Sequence, residues 1–348
     1  MALDERPIAV LGATGYTGRL VCESARELGL SLRLLGRNEA ALRAAAQSGE
    51  EVAVADAADQ EQLVAALEGA FAVISTAGPF LERGFAAVDA AIAAGVHYVD
   101  SCTEQAFSRL VYERFGSRAA DRGLVLLTGF AQAPGDLAAA IAAEGLGPLD
   151  EVVVANEQSG FALSRGSRQT LADVMTEPQA AWQDGRLLPS RFGATTRRVR
   201  FPGGERTVVE WAGLEPLTVP RHAEVRNVRS YVRAPRAAAV AGHFSKGLAS
   251  LARLSTKVGG SGPAPEKRRN ATFSVVAEAR GQGGGRRATI LGRDVYGTAA
   301  LLLARAAHGL ASGEVSDTGA LAPAEAFEPR PFLGRVAPLL QLESLVDL

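Results

Sequence analysis

The sequence predicts an α/β protein, with a doubly wound parallel sheet followed by a second, α+β domain built on a mostly antiparallel sheet. Three observations carry this. The apolar run Ile8–Leu11 breaks at once into three glycines spaced three apart, Gly12, Gly15 and Gly18. From residue 7 to about 140, short apolar runs alternate with Ala-rich helical patterns, and parallel strands need a crossover of helical size between them. Past about residue 150 the alternation gives way to longer β-rich runs separated by irregular stretches.

In chain order, strands are expected at 8–11, 32–37, 51–56, 70–77, 96–100 and 124–128, each short, apolar and bounded by turn residues. Between them, 19–28, 39–46, 60–67 and 84–94 carry helical patterns. In the second half, 152–155, 206–211, 271–279 and 287–291 read as strands, and 296–310 as an apolar helix that packs back on the first domain. The segment 237–257 has apolar residues at helical spacing among Lys246, Arg253 and Lys257. It suits a lid or a subunit contact better than a membrane-surface helix, because Ala and Gly dilute its apolar face. The expected domains are 1–145, 146–291 and a returning tail at 292–348.

At 348 residues the chain exceeds one ordinary domain. A formal net charge of −1 gives no reason to expect nucleic acid as a partner. The polar start runs directly into the first strand, and no apolar stretch reaches the roughly 18 residues of a membrane span, so a cytoplasmic protein with no integral membrane segment is expected. Two cysteines, Cys22 and Cys102, form neither a disulfide framework nor a metal cluster.

Each glycine of the first turn has a physical task. Gly12 permits a tight turn, Gly15 permits close approach of backbone to a pyrophosphate, and Gly18 permits close packing of helix on strand. The helix that follows turns its free N–H groups toward the phosphates. Gly12, Thr14, Gly15, Tyr16, Thr17 and Gly18 are therefore candidate cofactor-binding residues. The second strand ends in Gly36-Arg37-Asn38 with no carboxylate until Glu39. A guanidinium at that point matches a 2′-phosphate in charge and fork geometry, so Arg37 and Asn38 point to NADPH over NADH. Asp56 is placed for the adenine, and Ala77, Gly78, Pro79 and Phe80 for the nicotinamide ribose.

Tyr98, Asp100, Ser101 and Glu104 cluster at the carboxyl end of the fifth strand, where ligands of such sheets bind. Tyr98, Asp100 and Glu104 are candidates for proton relay or substrate orientation, against the alternative that an Asp at a strand end caps the next helix. Ser101, Cys102 and Phe130 are candidate substrate-lining residues. Ser164, Arg165 and Arg168, on a Gly-interrupted stretch, are candidates for gripping a polar or anionic substrate group. His97 reads as a buried imidazole, and Asp136 as a helix cap. No Tyr-x-x-x-Lys pair is present, which disfavours simple ketone reduction.

The motifs Gly12-Ala-Thr-Gly-Tyr-Thr-Gly18, Gly36-Arg37, Ala77-Gly-Pro-Phe80, Gly95-Val-His-Tyr-Val-Asp100 with Glu104, Gly129-Phe130, Pro134-Gly-Asp136 and Gly292-Arg-Asp-Val-Tyr-Gly297 occur in that order. In this the chain resembles the saccharopine dehydrogenase-like oxidoreductases, and within them the branch of trans-acting enoyl reductases. It departs from that branch at Cys102-Thr103-Glu104 and between Phe130 and Asp136. The resemblance implies a Rossmann domain with an inserted substrate-binding and dimer-forming domain, and a homodimer that transfers hydride from NAD(P)H to a small molecule. A C=C or C=N bond of a metabolite or lipid-type intermediate is the expected acceptor. An opine-type amino-acid dehydrogenase and a non-catalytic, lipid-associated cofactor-binding protein are the alternatives.

Overall fold

The computed structural model describes residues 3–160, 162, 164, 179–234 and 262–348. The expected helix at 237–257, and Arg165 and Arg168, lie outside the described residues. The chain divides into two compact units, one of residues 1–102, 107–131 and 296–321, the other of 103–106, 132–295 and 322–348.

In the first unit, β1 (Ile8–Leu11), α1 (Tyr16–Glu27), β2 (Leu32–Gly36), α2 (Glu39–Ala45), β3 (Glu51–Val54), α3 (Gln60–Leu67), β4 (Ala72–Ser75), α4 (Phe80–Ala94), β5 (His97–Asp100), α5 (Gln105–Ala120) and β6 (Val125–Leu127) alternate as the sequence predicts. The sheet order is β6-β5-β4-β1-β2-β3, with the short strand Gly319–Ala320 added beside β6. Every pairing in it is parallel. Crossovers run outward in both directions from β1, so the sheet has its switch point between β1 and β4. All four residues of β1 and of β4 are buried, as expected of central strands covered on both faces. Local chemistry sets the helix ends: Asn38 and Asp59 cap α2 and α3 through their side chains. α4 stops at Gly95 in the left-handed region, φ 71°.

In the second unit, β7 (Leu149–Ser159), β10 (Thr196–Phe201), β11 (Gly204–Glu210), β12 (Val225–Val232), β13 (Thr272–Gly281), β14 (Gly284–Arg293) and the strand Leu340–Asp347 form one sheet, ordered β10-β11-β12-β7-β13-β14-(340–347). A hairpin of β8 (Gln179–Gln183) and β9 (Arg186–Ser190) branches from β12. Only the β12–β7 pairing is parallel among these described strands. Helix α6 (Ala133–Ala143) packs on β7, β13 and β14 and is buried along nearly its whole length. The units divide the chain differently from the expected boundaries: α6 and the strand Leu340–Asp347 belong with the second sheet. The helix Val295–Ala311 belongs with the first unit from Tyr296 onward.

Candidate functional site

The chain leaves β1 through Gly12, whose φ of +84° lies in the left-handed region. Gly12 N–H donates to Leu35 O at 2.9 Å, and Gly15 N–H donates back to Gly12 O at 2.9 Å, which closes the turn. A Cβ on Gly18 would lie 2.1 Å from the Gly12 carbonyl oxygen, and one on Gly12 would lie 2.9 Å from Thr76 Oγ1. The turn is thus a tight backbone cradle at the switch point of the sheet. Helix α1 begins there with no side-chain cap and no acidic residue in its first turn, so its positive end remains free for an anion. Thr76, at the end of β4, anchors the neighbouring strand by donating from N–H and Oγ1 to Leu11 O at 2.9 and 3.0 Å. This arrangement fits a pyrophosphate group, which is what the glycine spacing predicts.

At the end of β2 the Arg37 guanidinium is largely exposed and stands 3.9 Å from Asp56 Oδ2. An exposed pair at that distance contributes on the order of 0 to 1 kcal/mol, which leaves Arg37 free to take a ligand charge. The Asp56 carboxylate also accepts from Ala58 N–H at 3.0 Å. Asn38 is committed to the fold, its Oδ1 accepting from Ala41 N–H at 3.0 Å. Ala77, Gly78 and Pro79 lie partly open at the end of β4.

Phe80, Cys102 and Phe130 differ from expectation. Phe80 is buried and packs in a tilted pair with Phe107, ring centroids 5.5 Å apart. Cys102 belongs to the same apolar core, and Phe130 is fully buried. Their side chains are therefore core residues and do not line an open site.

Asp100 ends β5 beside Ser75 of β4. Its Oδ1 accepts from Cys102 N–H at 2.8 Å and from Gly129 N–H at 2.7 Å, joining the loop after β5 to the loop after β6. Its second oxygen and the Tyr98 hydroxyl are both fully buried without a hydrogen-bond partner among the described residues. Burial pushes the Asp100 carboxyl up to about 6, against the two N–H donors that favour its anion. Burial, and then the neighbouring Asp100 charge, hold the Tyr98 phenol well above its ordinary range. Ser101 is half-buried beside this pair, and Glu104 and Ser164 are buried. His97, expected as a buried imidazole, is half-buried: its Nδ1 accepts from Val125 N–H at 3.0 Å, and burial lowers its pKa.

Two features escaped sequence reading. Asp136 does not cap its helix: its buried carboxylate receives His222 Nε2–H at 2.8 Å and Ala324 N–H at 2.9 Å. Beside it lies the buried carboxyl of Glu215, which accepts from Ser230 Oγ and is pushed up to about 7 by burial. Gly135 and Gly213 make room for it, since a Cβ at either would lie 1.9 or 2.3 Å from a Glu215 oxygen. The second feature is Tyr296, whose ring meets that of Tyr16 edge-on, with centroids 5.0 Å apart at 84°. Among the described residues no group of three or more His, Cys, Asp or Glu side chains is arranged to hold a metal ion. None of the described helices is long and apolar enough to cross a membrane.

The chain is similar to several known proteins. The family model described as NmrA-like matches residues 4–110, the segment that carries the glycine turn and the end of β5. A trans-acting enoyl reductase of Mycobacterium ulcerans is 30% identical over 217 residues, 58% of this chain and 52% of that protein. A lipid droplet localized protein of Caenorhabditis elegans is 30% identical over 185 residues, 47% of this chain and 43% of that protein. The chain spans about half the length of these curated relatives. Among solved structures, apo saccharopine dehydrogenase (L-Glu forming) of Saccharomyces cerevisiae superposes with a TM-score of 0.65 over 99% of this chain and 100% of that one, at 14% identity. The fold is shared at that level.

Proposed function

We propose that this chain, which has the saccharopine dehydrogenase fold and is similar in sequence to the trans-acting enoyl reductases, is an NADPH-dependent reductase acting on a C=C or C=N bond of a small-molecule intermediate. The observation that carries the reading is the cradle of Gly12, Gly15 and Gly18 at the switch point, with an exposed guanidinium, Arg37, at the end of the next strand. Gly12, Thr14, Gly15, Tyr16, Thr17 and Gly18 would hold the pyrophosphate and Arg37 the 2′-phosphate, with Asp56 toward the adenine and Ala77 to Pro79 toward the nicotinamide ribose. When bound, the nicotinamide supplies a hydride.

The protein's own contribution is position and field. Asp100 acts through the backbone: it fixes the loop bearing Ser101 against Gly129 at the carboxyl ends of β5 and β6. Being buried, Asp100 and Tyr98 act as positioning residues, while Ser101 is the polar side chain left to meet substrate.

The opine-type alternative requires free arginines for two substrate carboxylates. On the second sheet, Arg197 pairs with Glu151, Arg229 with Glu210, Arg287 with Glu278, and both Arg206 and Arg233 with Glu157. Each of these guanidiniums has a carboxylate partner, Glu157 being shared by two, which favours a substrate of lower charge. A test is titration of the purified protein with NADPH and NADH, followed by nicotinamide fluorescence, for wild type and Arg37→Ala. The expected result is NADPH binding weakened about tenfold or more in the variant with little change for NADH. Absence of binding for both nucleotides in the wild type overturns the reading.

A further inference from the structure

The chain re-enters the first unit at a point marked by two unusual features. Asp294 adopts φ +49°, one of two positive-φ residues other than glycine among the described residues, and such a backbone is costly unless its surroundings hold it. Here they do: Asp294 N–H donates to Ala271 O at 2.8 Å, and its carboxylate lies 3.0 Å from Arg268 Nε. Immediately beyond it the helix Val295–Ala311 starts, and its second residue, Tyr296, is almost fully buried with its ring edge-on to Tyr16. Tyr16 is the first residue of α1 and lies inside the glycine turn. The contact joins residues 280 positions apart, and both belong to the first unit.

We propose that Tyr296 is a positioning residue for the cofactor: it holds Tyr16, and through it the start of α1, in the geometry that presents the turn's amides to the pyrophosphate. This rests on the dinucleotide reading of the turn. α1 begins without a side-chain cap, and the glycines that make the cradle tight also make its backbone easy to deform. An aromatic edge packed against the first helical residue supplies the missing rigidity. The pyrophosphate cradle is therefore completed by Tyr296, far outside the stretch 4–110 that bears the glycines.

The test measures Kd by nicotinamide fluorescence for NADPH, and by competition for 2′-AMP, which carries the adenosine and 2′-phosphate but no pyrophosphate. Full-length wild type, Tyr296→Phe, Tyr296→Leu, Tyr16→Leu and the double Leu variant are compared. An edge-to-face pair is worth enough to change Kd about three- to tenfold. Tyr296→Leu should weaken NADPH by that factor and leave 2′-AMP unchanged, Tyr296→Phe should restore binding, and the double variant should be no weaker than the worse single one. NADPH binding by Tyr296→Leu equal to wild type, or equal loss of both ligands in a folded variant, overturns the proposal. If the wild type binds 2′-AMP but not NADPH, the pyrophosphate reading of the turn itself fails. If Tyr296→Leu does not fold, NADPH affinity of Tyr16→Leu equal to wild type overturns the proposal in its place.

Discussion

His222 donates through Nε2 to the carboxylate of Asp136 at 2.8 Å, and this pair ties α6 to the helix Glu215–His222 inside the second unit. Asp136 also receives Ala324 N–H, so one buried carboxylate holds three segments. Breaking such a pair by removing one partner costs about 3 to 5 kcal/mol, because the other charge is left buried.

The pair makes stability depend on pH in a defined sense. The Asp136 charge raises the His222 pKa above its ordinary 6.5 against the opposing effect of burial. His222 thus contributes stability that is full below pH 6.5 and lost as pH rises through its folded value. Asp136 is burdened by desolvation, yet His222⁺ and the hydrogen bonds it accepts bring its pKa below 3.8. Its contribution is present above pH 3.8 and lost as pH falls further. Chemical denaturation of His222→Gln should show a midpoint well below wild type at pH 5.5, with the gap narrowing toward pH 8.5. A constant gap across that range would mean that the imidazole contributes packing without charge.

Glu215 loses stability with rising pH, as His222 does and Asp136 does not. Its folded pKa of about 7 exceeds the ordinary glutamate value of 4.5, so the native state binds more protons and stability falls as pH rises from about 4.5 to about 7. At 1.36 kcal/mol per unit the full loss is on the order of 3 kcal/mol. Glu215→Gln keeps the shape and abolishes the titration, so it should melt higher than wild type at pH 8 and close to it at pH 5. A variant less stable than wild type at pH 8 would show that the carboxylate is held by partners stronger than the Ser230 hydroxyl.

The parallel sheet of the first unit was legible because its strands are short, apolar and separated by helices, and the glycine turn follows directly from spacing. β10, with the sequence Thr-Arg-Arg-Val-Arg-Phe, was not: only Val199 and Phe201 are buried, and Arg197 and Arg198 are satisfied by Glu151 and Glu205 from other strands. Its strand character resides in cross-strand ion pairs, which one segment does not reveal. Asp136 misled for a related reason. Its place in the first turn of a helix argues for a cap, whereas its partner lies 86 residues away. Tyr296 belongs to a recognisable motif, but that its partner is Tyr16 could come only from the folded chain.

Gly18 allows no side chain. A Cβ 2.1 Å from the Gly12 carbonyl oxygen meets the backbone of Gly12 and Ala13, so Gly18→Ala forces α1 away from β1. The expected cost is about 2 kcal/mol or more in stability, together with loss of nucleotide binding. Urea denaturation and the NADPH titration check both; unchanged binding would mean that the cradle relaxes without consequence for its ligand.

Asp100 separates two roles that a single substitution would confuse. Its Oδ1 serves two buried N–H groups, and an unsatisfied buried donor costs about 1 to 3 kcal/mol. Asp100→Leu, which removes the acceptor shared by both donors, should therefore destabilise by several times what Asp100→Asn does, since the amide oxygen can still receive Cys102 and Gly129 N–H. Asn also removes a carboxyl whose folded pKa of about 6 lies above 3.8, so relative to wild type it should gain stability as pH rises from 4 to 7. If Asp100 acts only by holding these loops, Asp100→Asn should retain both NADPH affinity and any reductase turnover. A turnover loss with affinity and stability intact would instead place the carboxyl proton in the chemical step.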